Sequence, residues 1–350
     1  MKKFLTNKST FSNYMTYAGV VIAFIILTIM GEAGGLSSTM KGQLVPVCAY
    51  VVMALSLNLT VGVMGELSLG HAGFMSVGAF SGAVVASALQ QAIPSDGIRL
   101  VIAMVVGAIL AGLVGIVIGV PVLRLRGDYL AIVTLAFGEI IKSIVTNLYI
   151  GIDAKGLHFS FLNPLEGLEA GGRMIMNGPM GIPGNTKIST FTAGFILIII
   201  TLMIIFNLVN SRSGRAIMAL RDNRIAAESV GINATKYKMM GFVTSAALAG
   251  AAGTLFGMSQ NAIIASKFDF NTSILVLVFV VLGGLGRMWG SIIAAAALTI
   301  LPELLREFSE YRMLIYAIVL ILVMLITNNP GLKNLFGKLI PRRKGAAENE

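Results

Sequence analysis

Residues 211–238 read SRSGRAIMALRDNRIAAESVGINATKYK, a polar island in a chain that is otherwise mostly apolar. Arg212, Arg215, Arg221, Arg224, Lys236 and Lys238 stand there against only Asp222 and Glu228. On either side, residues 191–209 and 239–258 are apolar runs close to the roughly 20 residues that a membrane-crossing helix needs. A basic loop between two such runs marks the cytoplasmic face of a membrane protein. The physics of the island allows two readings. Ser213 or Ser211 can cap a helix over 214–230 with Gly231 as its stop. Its small residues Ala216, Ala219, Ala226 and Ala227 would then seat in a partner's groove, with Arg221 and Asp222 fixing the edges. Alternatively the helix lies at the membrane surface with its basic side chains on lipid headgroups.

The whole composition agrees with a polytopic membrane protein. Of 350 residues, 56% are hydrophobic and 12% are charged, against about 25% charged in a soluble domain. The mean hydropathy is +0.86. The net charge of +10 lies in blocks, which in such a chain indicate the anionic inner leaflet rather than nucleic acid. The single cysteine, Cys48, excludes an intrachain disulfide. The basic start MKKFLTNKST precedes an apolar span with no small-residue cleavage pattern after Met30, and it is read as an uncleaved first helix.

Working outward by span length gives an all-α bundle of about ten membrane helices. They cover 14–30, 44–64, 69–89, 100–123, 129–150, 191–209, 239–258, 272–285, 290–301 and 313–327. The eighth and ninth are short and Gly-bounded, so they are either full spans or a re-entrant pair. Residues 1–13 form a cytoplasmic N-terminal segment, 14–330 the membrane domain, and 331–350 a basic tail. Lys2, Lys3 and Lys8 put the first end inside. Counting from there also puts Arg124, Arg126, the island, Arg287 and the tail (Lys333, Lys338, Arg342, Arg343, Lys344) inside. The loop with Glu303, Glu307 and Glu310 falls outside, as does the Gly/Pro-rich stretch 151–189. That stretch is too long for a plain connection, and it is expected to carry short helical pieces that either dock a partner or merely cap the bundle.

A second stretch, ALSLNLTVGVMGELSLGHAGFMSVGAFSG at 54–82, has glycines at 62, 65, 70, 73, 78 and 82. Small residues at such spacing permit close helix contact or a broken helix beside a solute path. Asn58, Glu66 and His71 are the candidates for that path, because polar groups at membrane depth are costly. If 64–69 is instead the inner turn between two helices, Glu66 is merely wet. Enzyme chemistry has no such support. His71 and His158 lack metal-ligand spacing, no phosphate loop GxxxxGK[ST] occurs, and no Ser–His–Asp grouping can be assembled. No catalytic or metal-binding residue is assigned. An ion-coupled carrier acting alone would need an intramembrane Asp/Glu/His relay, and the sequence does not provide one.

The segment GRAIMALRDNRIAAESVGI at 214–232 resembles the cytoplasmic coupling segment of permease subunits of binding-protein-dependent ABC importers. Ala226, Ala227 and Gly231 meet the A-A-x-x-x-G pattern, while Ile225 stands where the broader motif has Glu. LSLNLTVGVMGELSLGHAGFMSVGAF (55–80), RLRGDYLAIVTLAFGEI (124–140) and the run 278–324 are similar to the LivM-type subunit of the branched-chain amino acid branch. The likeness covers roughly 44–332 and is weakest over 151–189. It implies a heterodimeric pore made with a second related permease, two cytoplasmic ATPase subunits that bind the ATP and Mg, and an extracytoplasmic amino-acid binding protein. No cofactor is implied in this chain, and the setting is a bacterial plasma membrane. It also implies coupling roles for Gly214, Arg215, Arg221, Asp222, Ala226, Ala227 and Gly231, and a pathway role for Asn58, Glu66, Ser68 and His71. The cargo would be leucine, isoleucine and valine, or in the same importer class urea, short amides or other amino acids.

Overall fold

The computed structural model describes residues 8–305 except 34, 36, 126, 154–155 and 166–171, together with 314, 317, 318 and 321. Arg126, Glu307, Glu310, all but those four residues of the tenth span over 313–327, the basic tail and the lysines at 2 and 3 lie outside the described residues. The helices are α1 (Lys8–Glu32), α2 (Ser38–Asn58), α3 (His71–Ala88), α4 (Asp96–Val122), α5 (Asp128–Thr146), α6 (Phe191–Asn210), α7 (Arg212–Asp222), α8 (Arg224–Ser229), α9 (Ala234–Gly257), α10 (Phe270–Gly283) and α11 (Met288–Leu304). Among the described residues, eight helices are long and apolar enough to cross a membrane, and Met288–Leu304 is a ninth, shorter apolar helix. Contacts divide the chain at Ala296/Ala297, within α11, and the packing around α9 belongs to the first unit, Met1–Ala296.

The centre is α9, against which α2, α3 and α4 pack. Small residues make this possible. A Cβ on Gly78 of α3 would overlap the backbone of Gly250 in α9, and one on Gly253 would overlap the Met75 carbonyl. Thr254 Oγ1 also donates to the Gly78 carbonyl at 2.8 Å. In lipid, where helices gain little by hiding apolar surface from one another, this close approach and its interhelical hydrogen bonds replace the hydrophobic drive. Two further buried hydroxyl pairs cross the bundle: Thr60 Oγ1 donates to Ser245 Oγ at 2.8 Å, and Ser245 Oγ donates to the Ser56 carbonyl at 2.5 Å. Outside this core, α1 packs on α6 through stacked rings of Phe24 with Phe191 and Phe195.

The stretch 151–189 differs from the helical pieces expected of it. Residues 148–177 form a three-stranded antiparallel sheet of β1 (Leu148–Asp153), β2 (Gly156–Phe161) and β3 (Arg173–Asn177), ordered β2-β1-β3. The fifth span accordingly ends at Thr146, and Leu148–Ile150 become strand. The run LYIGID carries aromatic and β-branched side chains that favour a pleated surface, and pairing two neighbours satisfies its backbone. Arg173 fastens the sheet to the end of α3, donating to the Ser87 carbonyl at 2.7 Å and to Gln90 Oε1 at 3.0 Å.

Candidate functional site

The polar island folds as two helices rather than the single one expected over 214–230. Ser211 caps α7, its hydroxyl accepting from the Gly214 amide at 3.1 Å. Asn223 then takes an extended conformation (φ −154°, ψ 103°), and its Oδ1 accepts from the Ala226 amide at 3.0 Å. Asparagine competes well for this role because its side chain replaces a missing backbone acceptor, so the chain breaks there and starts α8. Gly231, at φ +85°, closes α8, a backbone conformation that a residue with a Cβ adopts only at a cost.

The small-residue surface expected of this segment is divided. Ala227 points inward, forming a small core with Leu220 and Ala234, while Ala226 is exposed. The outward face instead carries Ile225 and Val230, 81% and 75% exposed. Gly214 fits closely under the end of α6, where a Cβ would overlap the Leu208 and Val209 carbonyl oxygens. Arg215 donates to the Asn210 carbonyl at 3.1 Å. These contacts fix α7 to the helix before it.

Two charged links fix the segment to the turn between α2 and α3. The Arg221 guanidinium grips Asp222 Oδ1 with Nε and one Nη (3.1 and 3.0 Å), and the other Nη donates to the Gly62 carbonyl at 3.1 Å. That carbonyl belongs to a π-helical turn, Leu59–Val63, that ends α2. Such turns leave backbone carbonyls without their usual partners, so an external donor finds a place. Lys238 at the start of α9 forms an ion pair with Glu66, their side chains 9% and 12% exposed. A cleft of about 640 Å³ opens between the 65–67 turn and α7–α8, with Gly127, Arg224 and Ile225 on its walls. The links that charge counting put inside therefore gather at one end of the bundle. The sheet, fastened to the end of α3, and the 257–263 loop, bridged at Ile263 to Ile182, gather at the other.

The expected pathway residues separate by position. Glu66 sits in the inner turn and is paired rather than wet. Asn58 Oδ1 accepts from the Gly286 amide at 2.8 Å and its Nδ2 donates to Ser291 Oγ at 2.9 Å, so it joins the end of α2 to the α10–α11 turn. His71 Nε2 shares a hydrogen bond of 2.8 Å with Ser56 Oγ between α3 and α2. Ser68 is buried, and its hydroxyl has no hydrogen-bond partner among the described residues. The sequence did not reveal Lys238, Gly62, Gly286 or Ser291 as partners. They lie 159 to 233 positions away or act through backbone atoms, and only the Lys238 charge gave any signal.

Residues 39–324 match the protein family described as branched-chain amino acid transport system, permease component. The chain is 35% identical over 311 residues to the high-affinity branched-chain amino acid transport system permease protein LivM of Escherichia coli K12, covering 86% of this chain and 71% of that one. It is 26% identical to the LivH permease protein of the same organism (79% and 89% covered) and 28% identical to the ribose import permease protein RbsC (79% and 81%). No solved structure matches the chain significantly. The chain is a multi-pass membrane protein and belongs to the family of permease components of branched-chain amino acid transport systems.

Proposed function

We propose that this chain is the membrane-spanning subunit of a binding-protein-dependent ABC importer that carries leucine, isoleucine and valine across a bacterial plasma membrane. The observation that carries the reading is the double attachment of the 211–238 segment to the α2–α3 turn, through Arg221 of α7 on Gly62 and Lys238 at the start of α9 on Glu66. An ATPase subunit docking on the exposed Ile225–Val230 face would move α7–α8. The two links would hand that movement to α2, α3 and α9, rocking the helices between outward- and inward-open arrangements. In this reading a second related permease completes the pore and two ATPase subunits bind ATP and Mg. A binding protein delivers cargo at the sheet-bearing end, the lipid bilayer surrounds the bundle, and nucleic acid has no part. The chain itself is neither an enzyme nor a cofactor carrier, and both termini are cytoplasmic.

The likeness to a ribose permease favours one further point: the scaffold accommodates different cargoes, so the cargo must be assayed. The test is purification of the chain in mild detergent from its own host, followed by leucine uptake in vesicles. Recovery of a second permease and an ATPase, with ATP-dependent leucine uptake, is the expected result. A stable solitary transporter that works without ATP would overturn the reading.

A further inference from the structure

The proposed function leaves open where the solute touches this chain. Helix α5 carries two adjoining stripes, one exposed and one half-buried on its flank. Ile132, Ala136, Ile140 and Ile144 form an apolar one that suits hydrocarbon. The other holds Glu139 and Lys142, joined by an ion pair of 2.6 Å with side chains 41% and 28% exposed. Glu139 stands about 16 Å along a helix of about 28 Å, near mid-span. Across a narrow cleft from Glu139 lies Asp269, which interacts electrostatically with Lys142 and holds the amide of Asn271 at 2.9 Å. Helix α10, which Asp269 begins, is short. Its 14 residues span about 21 Å against a hydrocarbon core of about 30 Å. Asp269 caps it, accepting from the Thr272 amide at 3.0 Å, and both Asp269 and Asn271 fall within the 19-residue apolar span Ala265–Gly283.

Charged side chains at this depth face a partner or a water-filled cavity, not lipid. A solvated helix face would explain Glu139 and Lys142 in a soluble protein. It does not explain them beside an apolar stripe on a membrane span.

We propose that Glu139, Lys142, Asp269 and Asn271 form one wall of the solute pathway and bind the backbone of a zwitterionic amino acid. The carboxylates of Glu139 and Asp269 receive the α-ammonium, and Lys142 receives the α-carboxylate. The alternation of charge suits a zwitterion and gives a neutral sugar no equivalent partner. The cleft has a volume of only about 10 Å³, so it is a wall and not a closed pocket, and the second permease supplies the opposite side. This assignment rests on the amino-acid importer reading above.

The test uses single cysteines in the complete importer in membrane vesicles. Cys48, the only native cysteine, is 4% exposed and gives a quiet background. The water-soluble cation 2-(trimethylammonium)ethyl methanethiosulfonate is expected to label Glu139→Cys and Asn271→Cys and to spare Ile140→Cys and Ile144→Cys. Saturating leucine should slow labelling at 139, and ribose should not. Glu139→Gln should raise the half-saturating leucine concentration about tenfold, the loss expected for one charge-assisted hydrogen bond. If Glu139→Cys fails to insert, Asn271→Cys carries the test. Robust leucine uptake with both positions unlabelled, or labelling equal on the two stripes, overturns this site and leaves the importer reading standing. Absence of leucine uptake by the unsubstituted complex is instead a failure of the importer reading.

Discussion

At Arg221 the guanidinium divides its donors between the Asp222 carboxylate and the Gly62 carbonyl, so one residue both holds its own helix end and reaches a different helix. Lysine cannot reproduce this, because it offers a point charge instead of a planar fork. Arg221→Lys and Arg221→Ala are both expected to leave the protein inserted and to lower uptake per ATP hydrolysed about tenfold, the scale of one lost charge-assisted hydrogen bond. Parallel uptake and ATPase assays check this, and unchanged coupling in both variants would remove Arg221 from the transmission. The Glu66–Lys238 pair makes a different prediction. Both side chains are nearly buried, so Glu66→Gln leaves an uncompensated ammonium and should cost about 3 kcal/mol, read as a drop in the unfolding midpoint in detergent. The double variant Glu66→Gln with Lys238→Met should recover much of that loss. Full additivity of the two changes would show that the charges do not interact.

At the scale of elements, the packing of α3 on α9 depends on the absence of a side chain at Gly78. Gly78→Leu would have to push Gly250 backbone aside and should abolish a monodisperse elution profile, whereas Gly97→Ala in open surroundings should not change it. How much of this was legible differs between elements. The apolar runs placed α1 to α6 and α9 to within six residues at each end, because the cost of placing unpaired backbone in hydrocarbon forces helix wherever the chain is apolar enough. Two elements depart from expectation for identifiable reasons. The island was expected to be one helix, but Asn223 offers its own side-chain amide as a cap and divides it. The 151–189 stretch was expected to hold short helices. Its strands are stabilised by cross-strand partners 3 to 13 positions away between β1 and β2 and 21 to 28 positions away between β1 and β3, which no helical periodicity announces.

For the whole molecule, the prediction concerns sidedness. The 211–238 segment and the sheet lie at opposite ends of the bundle, so Ile225→Cys and Phe159→Cys, both strongly exposed, should react with membrane-impermeant reagents from opposite faces. Intact cells should label position 159, and only inverted vesicles position 225. Labelling of both from one face would overturn the charge-derived orientation. The sequence by itself determined that this is a polytopic helical membrane protein with a basic segment between two spans. Composition, span length and Lys/Arg placement are one-dimensional signals that the bilayer imposes directly. Only the tertiary structure decided what that segment touches. The Gly62 carbonyl and the Glu66 carboxylate acquire their partners through packing between distant parts of the chain, and a hydrogen bond across 159 or 172 positions leaves no periodic trace.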